Sequence, residues 1–257
     1  MEKNQTIPKL LRLYIIRHGQ TVDNITHILQ GQQPGRLTEE GILEAQKTGK
    51  FLKDIKFDFA YVSDLRRTVD SFENINLHIL EENQLEKNNE KQVKFTSLIR
   101  EIKLGILEGK KNTEQFVKEQ FKLMNKNFDY KVEGGESYND VIQRAYQFFK
   151  EIIQNHLVNQ MQPTQNQNQE IKKVMIISHK GFITKLMSQI YQNCSIHCDI
   201  RFKNSPLDNC EMFKIDIQLE QNEIGENNIP LIIGFEKLNS QLEDIDNLKY
   251  EEQNNLY

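Results

Sequence analysis

No stretch of this 257-residue chain stays apolar for long enough to approach a membrane span. The amino end also lacks a signal-type apolar region. We therefore expect a cytoplasmic protein with no membrane partner. Cysteine is scarce: Cys194, Cys198 and Cys210 form no even disulfide framework, which points to a reducing compartment. The run Cys194-Ser-Ile-His-Cys198 lacks a second ligand pair at zinc spacing, so it is not read as a metal site. Positive charge is not in excess, and a net charge of −4 argues against a nucleic-acid partner. No internal repeat is present. What remains is 37% hydrophobic and 27% charged. That composition suits one globular α/β domain, long enough to bury a core.

The strongest local signal lies near the start. Leu13-Tyr14-Ile15-Ile16 is a short apolar run rich in β-branched and aromatic residues, and it reads as a buried strand. It stops at Arg17-His18-Gly19, where glycine allows a sharp turn and a close approach of backbone to ligand. Arg17 and His18 then sit at the carboxyl end of a strand, where open α/β sheets bind ligands. Arginine offers a planar fork of donors matched to phosphate. Histidine titrates near neutrality and serves as nucleophile, acid or base. An Arg-His pair seen alone can also simply finish a strand in a surface turn, so the rest of the chain decides.

Residues 21–35 hold Asn24, Gln30, Gly31, Pro34 and Gly35 and read as a loop beside Arg17 and His18. Thr38 looks like the N-cap of a helix carrying Ile42, Ala45, Gly49 and Leu52, with the small Gly49 allowing close packing on a sheet. A second strand is expected over 57–62. Ser63 and Asp64 are expected to cap a helix that turns Leu65, Val69 and Phe72 inward. Arg66 and Arg67 fall in its first turn, against the helix dipole. Two hydrated arginines would explain them, and so would an anion held at the helix N-terminus.

Residues 93–99 read as an edge-like strand leading to Arg100-Glu101. An amphipathic helix over 112–126 would place Phe116, Val117, Phe121 and Met124 on one side. Ser137 and Asp140 resemble a capping box for a long helix carrying Val141, Ala145, Phe148 and Ile152 inward. From 154 to 169, ten of sixteen residues are Gln or Asn, which reads as a flexible loop. A second apolar strand, 174–178, ends at His179 and turns into a helix. Both histidines should therefore emerge at one edge of a parallel sheet. Residues 211–217 and 231–235 suggest a closing hairpin, and the last twenty residues a polar tail.

Taken in order, Arg17-His18-Gly19, Asn24, Ser63-Asp64-Leu65-Arg66-Arg67-Thr68, Arg100-Glu101, Gly134-Gly135-Glu136-Ser137 and Ser178-His179 resemble the histidine phosphatase superfamily, the phosphoglycerate mutase-like family. Within it the chain looks most like the TIGAR-type fructose-2,6-bisphosphatases, through residues 28–32, 56–68, 105–110 and 134–137. The resemblance implies a three-layer α/β/α sandwich around a mostly parallel sheet, spanning residues 11–237, with a helical lid over 105–135 and a tail over 238–257. It implies His18 as the nucleophile, Glu101 as the proton donor, and Arg17, Arg67, Asn24 and His179 around the phosphate. No metal or other cofactor is implied, and the partner is a small phosphorylated substrate. Gln30, Gly31, Arg36 and Lys180 are the candidates for contact with the rest of that substrate. Two positions depart from the family's habit: Gln20 where Glu is common, and Lys180 where Gly is usual. The long basic, proline-rich insertion of the mutases is not seen, which favours hydrolysis. A phosphoglycerate mutase, a broad-specificity phosphatase and a phospho-ligand-binding protein are the alternatives.

Overall fold

The computed structural model describes residues 10–89, 92–158, 171–198, 207–219 and 230–239. A seven-stranded sheet divides the protein into layers. Its strands are β1 (Leu10–Arg17), β2 (Phe59–Ser63), β3 (Val93–Thr96), β4 (Ile171–Ser178), β5 (Ser195–Ile196), β6 (Met212–Leu219) and β7 (Pro230–Leu238), ordered β3-β2-β4-β1-β6-β7-β5. The pairings from β3 through β2 and β4 to β1 are parallel, and β6 joins β1 and β7 as an antiparallel hairpin. The short β5 pairs parallel to β7.

β1 is apolar on both faces because both faces are covered. Leu11, Leu13 and Ile15 point into one core, shared with α5 (Tyr138–Ile153) and α6 (Lys180–Asn193). Tyr14 and Ile16 point into the other, shared with α2 (Glu39–Phe51) and α3 (Arg66–Asn76). This is the expected α/β/α arrangement with a mostly parallel sheet. The expected close contact of Gly49 falls elsewhere. A Cβ there would lie 2.3 Å from the Ile75 carbonyl oxygen, so the small residue seats α2 on α3 and not on the sheet.

Other expectations shift for local reasons. Part of the loop after Gln20 winds into a short helix, α1 (Val22–Ile25), closed by a reciprocal Thr21–Asn24 capping box. Ser63 and Asp64 do not cap α3: Ser63 ends β2, Leu65 occupies the N-cap, and Asp64 pairs with Arg100. The 93–99 segment leaves the sheet after Thr96 in a 3-10 turn, Ser97–Ile99. In α4 (Gln115–Lys126) Val117 and Met124 are buried and Phe121 partly so. Phe116 faces out, because it sits one residue off the 117/121/124 stripe. The Ser137–Asp140 capping box is present. The Gln/Asn-rich segment begins not as a loop but as a π-turn, Gln154–Val158, which buries His156 and Leu157. The remainder of that segment, and residues 240–257 of the expected tail, lie outside the described residues. Among the described residues no helix is long and apolar enough to cross a membrane.

Candidate active site

The parallel register of β1 and β4 pairs Arg17 with Ser178, so the next residues, His18 and His179, leave the sheet side by side. The His18 amide donates to the Ser178 carbonyl at 3.0 Å, and the two imidazole centroids lie 5.2 Å apart. This edge lies at the carboxyl ends of the parallel strands β1 and β4, where open α/β sheets bind ligands.

The turn after His18 is seated by close packing. A Cβ on Gly19 would meet the Gly41 carbonyl oxygen at 2.4 Å, and one on Gly41 would meet the Gln20 carbonyl oxygen at 2.1 Å. Bare backbones therefore dock the turn on α2. The Gly19 amide donates to Ser71 Oγ at 3.0 Å, and the Gln20 amide to Glu44 Oε2 at 2.7 Å. The His18 carbonyl accepts from Asn209 Nδ2 at 2.9 Å.

His18 Nδ1 lies 2.7 Å from the Gly19 carbonyl oxygen. A carbonyl only accepts, so Nδ1 carries the proton and Nε2 keeps its lone pair. Burial holds the ring neutral, well below the usual histidine range, and the positive charges of Arg67 and Arg17 push the same way.

The two arginines of the α3 first turn part company. Arg66 reaches solvent and pairs with Asp70. Arg67 is 1% exposed, and its three nitrogens are all held: Nε donates to His179 Nδ1 at 3.2 Å, one terminal nitrogen to the Gln33 carbonyl at 2.6 Å, the other to the Gly31 carbonyl at 2.8 Å. Three of its five N–H groups are used, leaving two for an anion. Burial lowers its pKa to about 10, so it stays charged at neutrality. His179 is neutral for the same reason, burial first and Arg67 second. Because it accepts at Nδ1, its Nε2 carries the proton and donates to Ser63 Oγ at 2.8 Å. Arg17 anchors one terminal nitrogen on the Leu207 carbonyl at 3.0 Å, while its buried Nε has no partner among the described residues. A buried donor left unpaired is costly, and an anion oxygen would satisfy it.

Glu101 closes the far side. Its Oε2 accepts from the Gly181 amide at 3.1 Å and its Oε1 from the Phe182 amide at 3.2 Å, so the carboxylate sits on the N-terminus of α6. A Cβ on Gly181 would lie 2.4 Å from Oε1, so a larger residue there would displace the carboxylate from this position. Glu101 is near enough to Arg17 and Arg67 to favour their charged forms.

The remaining candidates divide. Asn24 Oδ1 accepts from the Thr21 amide and from Asn209 Nδ2, fixing the loop beside His18. Gln30 is buried and donates to Thr21 Oγ1 at 2.8 Å, and Gly31 presents its carbonyl to Arg67. Both brace the pocket from within. Arg36 and Lys180 are exposed, Arg36 one residue beyond Gly35 and Lys180 at the first position of α6. Sequence reasoning missed Ser71, Asn209 and Gly181. Gly181 was discoverable from its place beside His179; Asn209 is brought in by the β1–β6 pairing and has no local signal. Among the described residues no three or more His, Cys, Asp or Glu side chains gather where they could hold a metal ion.

A buried neutral histidine between two arginines, at the carboxyl edge of an α/β sheet and faced by a carboxylate, defines a phosphoryl-handling enzyme of the phosphatase and mutase type. The chain belongs to the histidine phosphatase superfamily: the family model of branch 1 matches residues 13–230. It is 28% identical over 201 residues to a broad-specificity phosphatase of Saccharomyces cerevisiae, covering 76% of this chain and 77% of that protein. It is 31% identical over 180 residues to a 2,3-bisphosphoglycerate-dependent phosphoglycerate mutase of Bartonella tribocorum, 68% of this chain and 79% of that one. It is 34% identical over 146 residues to the fructose-2,6-bisphosphatase TIGAR of Bos taurus, 55% of this chain and 50% of that one. Among solved structures, a mycobacterial glucosyl-3-phosphoglycerate phosphatase shares the fold with a TM-score of 0.61 at 20% identity, over 81% of this chain and 91% of that one.

Proposed function

We propose that the chain hydrolyses phosphomonoesters through a phosphohistidine at His18, without a metal, and that its substrate is a sugar bisphosphate such as fructose-2,6-bisphosphate. The observation that carries the chemistry is the Nδ1–H to Gly19 hydrogen bond of 2.7 Å, which leaves Nε2 free in a buried site lined by Arg17 and Arg67. Nε2 attacks phosphorus in line. As the N–P bond forms and the P–O bond breaks, Glu101, having first taken up a proton from the phosphomonoester monoanion or from solvent, gives that proton to the leaving alkoxide. Water, with its proton taken by Glu101, then cleaves the N–P bond and releases phosphate. Proton transfer of this kind is worth about 10²–10⁴-fold. The two guanidinium groups spread positive charge over the equatorial oxygens. His179 contributes through Arg67, which it orients, and Asn24 through the loop it caps.

For the substrate, the support is the resemblance to TIGAR and the placing of Arg36 and Lys180. Both are exposed, Arg36 follows the loop that holds Arg67, and Lys180 adjoins both His179 and the Glu101 contact at Gly181. A second phosphate would meet them as a charge-assisted anchor. Fructose-2,6-bisphosphate is then expected to have a lower KM than fructose-6-phosphate, with turnover unaffected by EDTA. Arg36→Gln or Lys180→Gln should raise KM several-fold for the bisphosphate alone, since only ground-state binding is lost. Equal effects on both substrates in both variants would remove the second anchor. The likeness to phosphoglycerate mutases supports a second reading, and a coupled mutase assay primed with 2,3-bisphosphoglycerate separates it from hydrolysis.

A further inference from the structure

We propose that Arg144, held by Glu136, is the positioning residue that sets the Glu101 carboxyl group for proton transfer; this rests on the acid role proposed for Glu101. The segment carrying Glu101 has no regular structure of its own between the 3-10 turn at Ser97–Ile99 and the next at Gly105–Leu107. A proton donor on such a segment needs an external fixture, because a misplacement of about 1 Å can cost on the order of 10²-fold.

Arg144, on α5, supplies it. One terminal nitrogen donates to the Leu98 carbonyl at 2.7 Å and to the Arg100 carbonyl at 3.1 Å, and the other reaches the Glu101 carbonyl at 3.5 Å. Three carbonyls that would repel one another thus converge on one cation. The opposite edge of the guanidinium is gripped by Glu136 in a two-point pair, Nε to Oε1 at 2.8 Å and the second nitrogen to Oε2 at 3.0 Å. Glu136 also fastens the far side of Glu101. Its Oε2 accepts from the Lys103 amide at 2.8 Å, and its own amide donates to the Lys103 carbonyl at 2.8 Å. The pair therefore clamps the chain on both flanks of Glu101.

The same guanidinium lies 5.4 Å from the ring centroid of Phe182, whose amide is one of the two holding the Glu101 carboxylate. Arg144 thus ties the segment that carries the carboxyl group to the helix end that receives it. Arginine is required for this fork. Lysine would keep the charge but not the geometry.

The test compares single-turnover phosphorylation of His18 by an alkyl phosphate, whose leaving alkoxide needs a proton, with that by p-nitrophenyl phosphate, whose leaving group barely does. Arg144→Lys should slow the alkyl reaction on the order of 10²-fold and the aryl reaction by less than about 3-fold. In a Glu101→Gln background the same substitution should change either rate by less than about 2-fold, because the group it positions is gone. Glu136→Gln, which leaves Arg144 on its carbonyls, should show the same selectivity at smaller size and serves if Arg144→Lys does not fold. Equal losses for the two substrates, an unchanged alkyl rate in Arg144→Lys, or an undiminished loss in the Glu101→Gln background would each overturn the proposal. If Glu101→Gln itself treats both leaving groups alike, the acid assignment fails first, and the proposal falls with it.

Discussion

Histidine is buried in two quite different settings among the described residues. His156 lies in the π-turn after α5, its Nε2 3.1 Å from the Tyr61 hydroxyl and its ring 5.4 Å from that of Phe59. His18 and His179 lie at the sheet edge. Burial lowers the basicity of all three, His156 to about 4. Burial therefore does not mark a reactive histidine. What differs is the company. The charges around His156 are of mixed sign: Asp58 and Glu151 favour its protonated form and Lys172 opposes it. His18 faces two cations, and a carbonyl fixes its tautomer. The first setting is a packed core with a satisfied polar tip. The second combines a free lone pair with two guanidinium groups that keep donors for an anion, among them the buried Arg17 Nε.

The sharpest way to break this contrast is to remove one histidine from each setting. His18→Ala should lower kcat on the order of 10⁴-fold or more, since the proposed nucleophile is lost. His156→Asn should leave kcat/KM within about twofold and act on stability alone, by about 2 kcal/mol in urea unfolding. Comparable activity losses in the two variants would erase the distinction. Next in size is Arg67→Lys. The charge survives, but the planar fork on His179, Gln33 and Gly31 does not, and kcat/KM should fall about 10²–10³-fold. A loss below about threefold would show that bulk charge suffices.

The smallest effect is on the pH dependence of stability. In the unfolded chain these histidines protonate near pH 6.5. Their folded pKa values are depressed, so below that pH the unfolded state binds protons that the folded state does not. The stability they contribute is complete above about pH 6.5 and is lost as pH falls, by up to about 1.4 kcal/mol per pH unit per histidine. For His156 the loss stops near its folded value of about 4. Urea midpoints between pH 7 and 4.5 should thus fall less steeply in His156→Asn than in the parent; parallel slopes would contradict the assigned neutral state.

Much of this was legible in the sequence, for identifiable reasons. β1 and β4 were readable because strands buried on both faces are continuous apolar runs, and Arg17-His18 and His179 followed from where those runs stop. Arg67 stood out because a cation in a helix's first turn opposes the dipole, though nothing local said that Arg67 and not Arg66 turns inward. The bracing residues were not legible. Asn209 reaches His18 across 191 positions of sequence, and Arg144 reaches the Glu101 segment from a helix whose periodicity only marks its apolar face. Nor does a Gly/Gln-rich loop announce that Gln30 donates to Thr21 and that the Gly31 carbonyl holds Arg67. Tertiary hydrogen bonds have no sequence period, so sequence reading finds the groups that meet substrate sooner than those that hold them.

The proposed phosphoryl acceptor is Nε2 of His18. Rapid quenching of a labelled phosphomonoester reaction, in the presence of EDTA and without acid, should trap about one phosphoryl group per chain, labile to acid and stable to base. Peptide mapping should place it on His18, and it should be absent from His18→Ala yet present in His156→Asn. A phosphoenzyme of full size in His18→Ala, or turnover with no trappable phosphohistidine in the parent, would contradict the account.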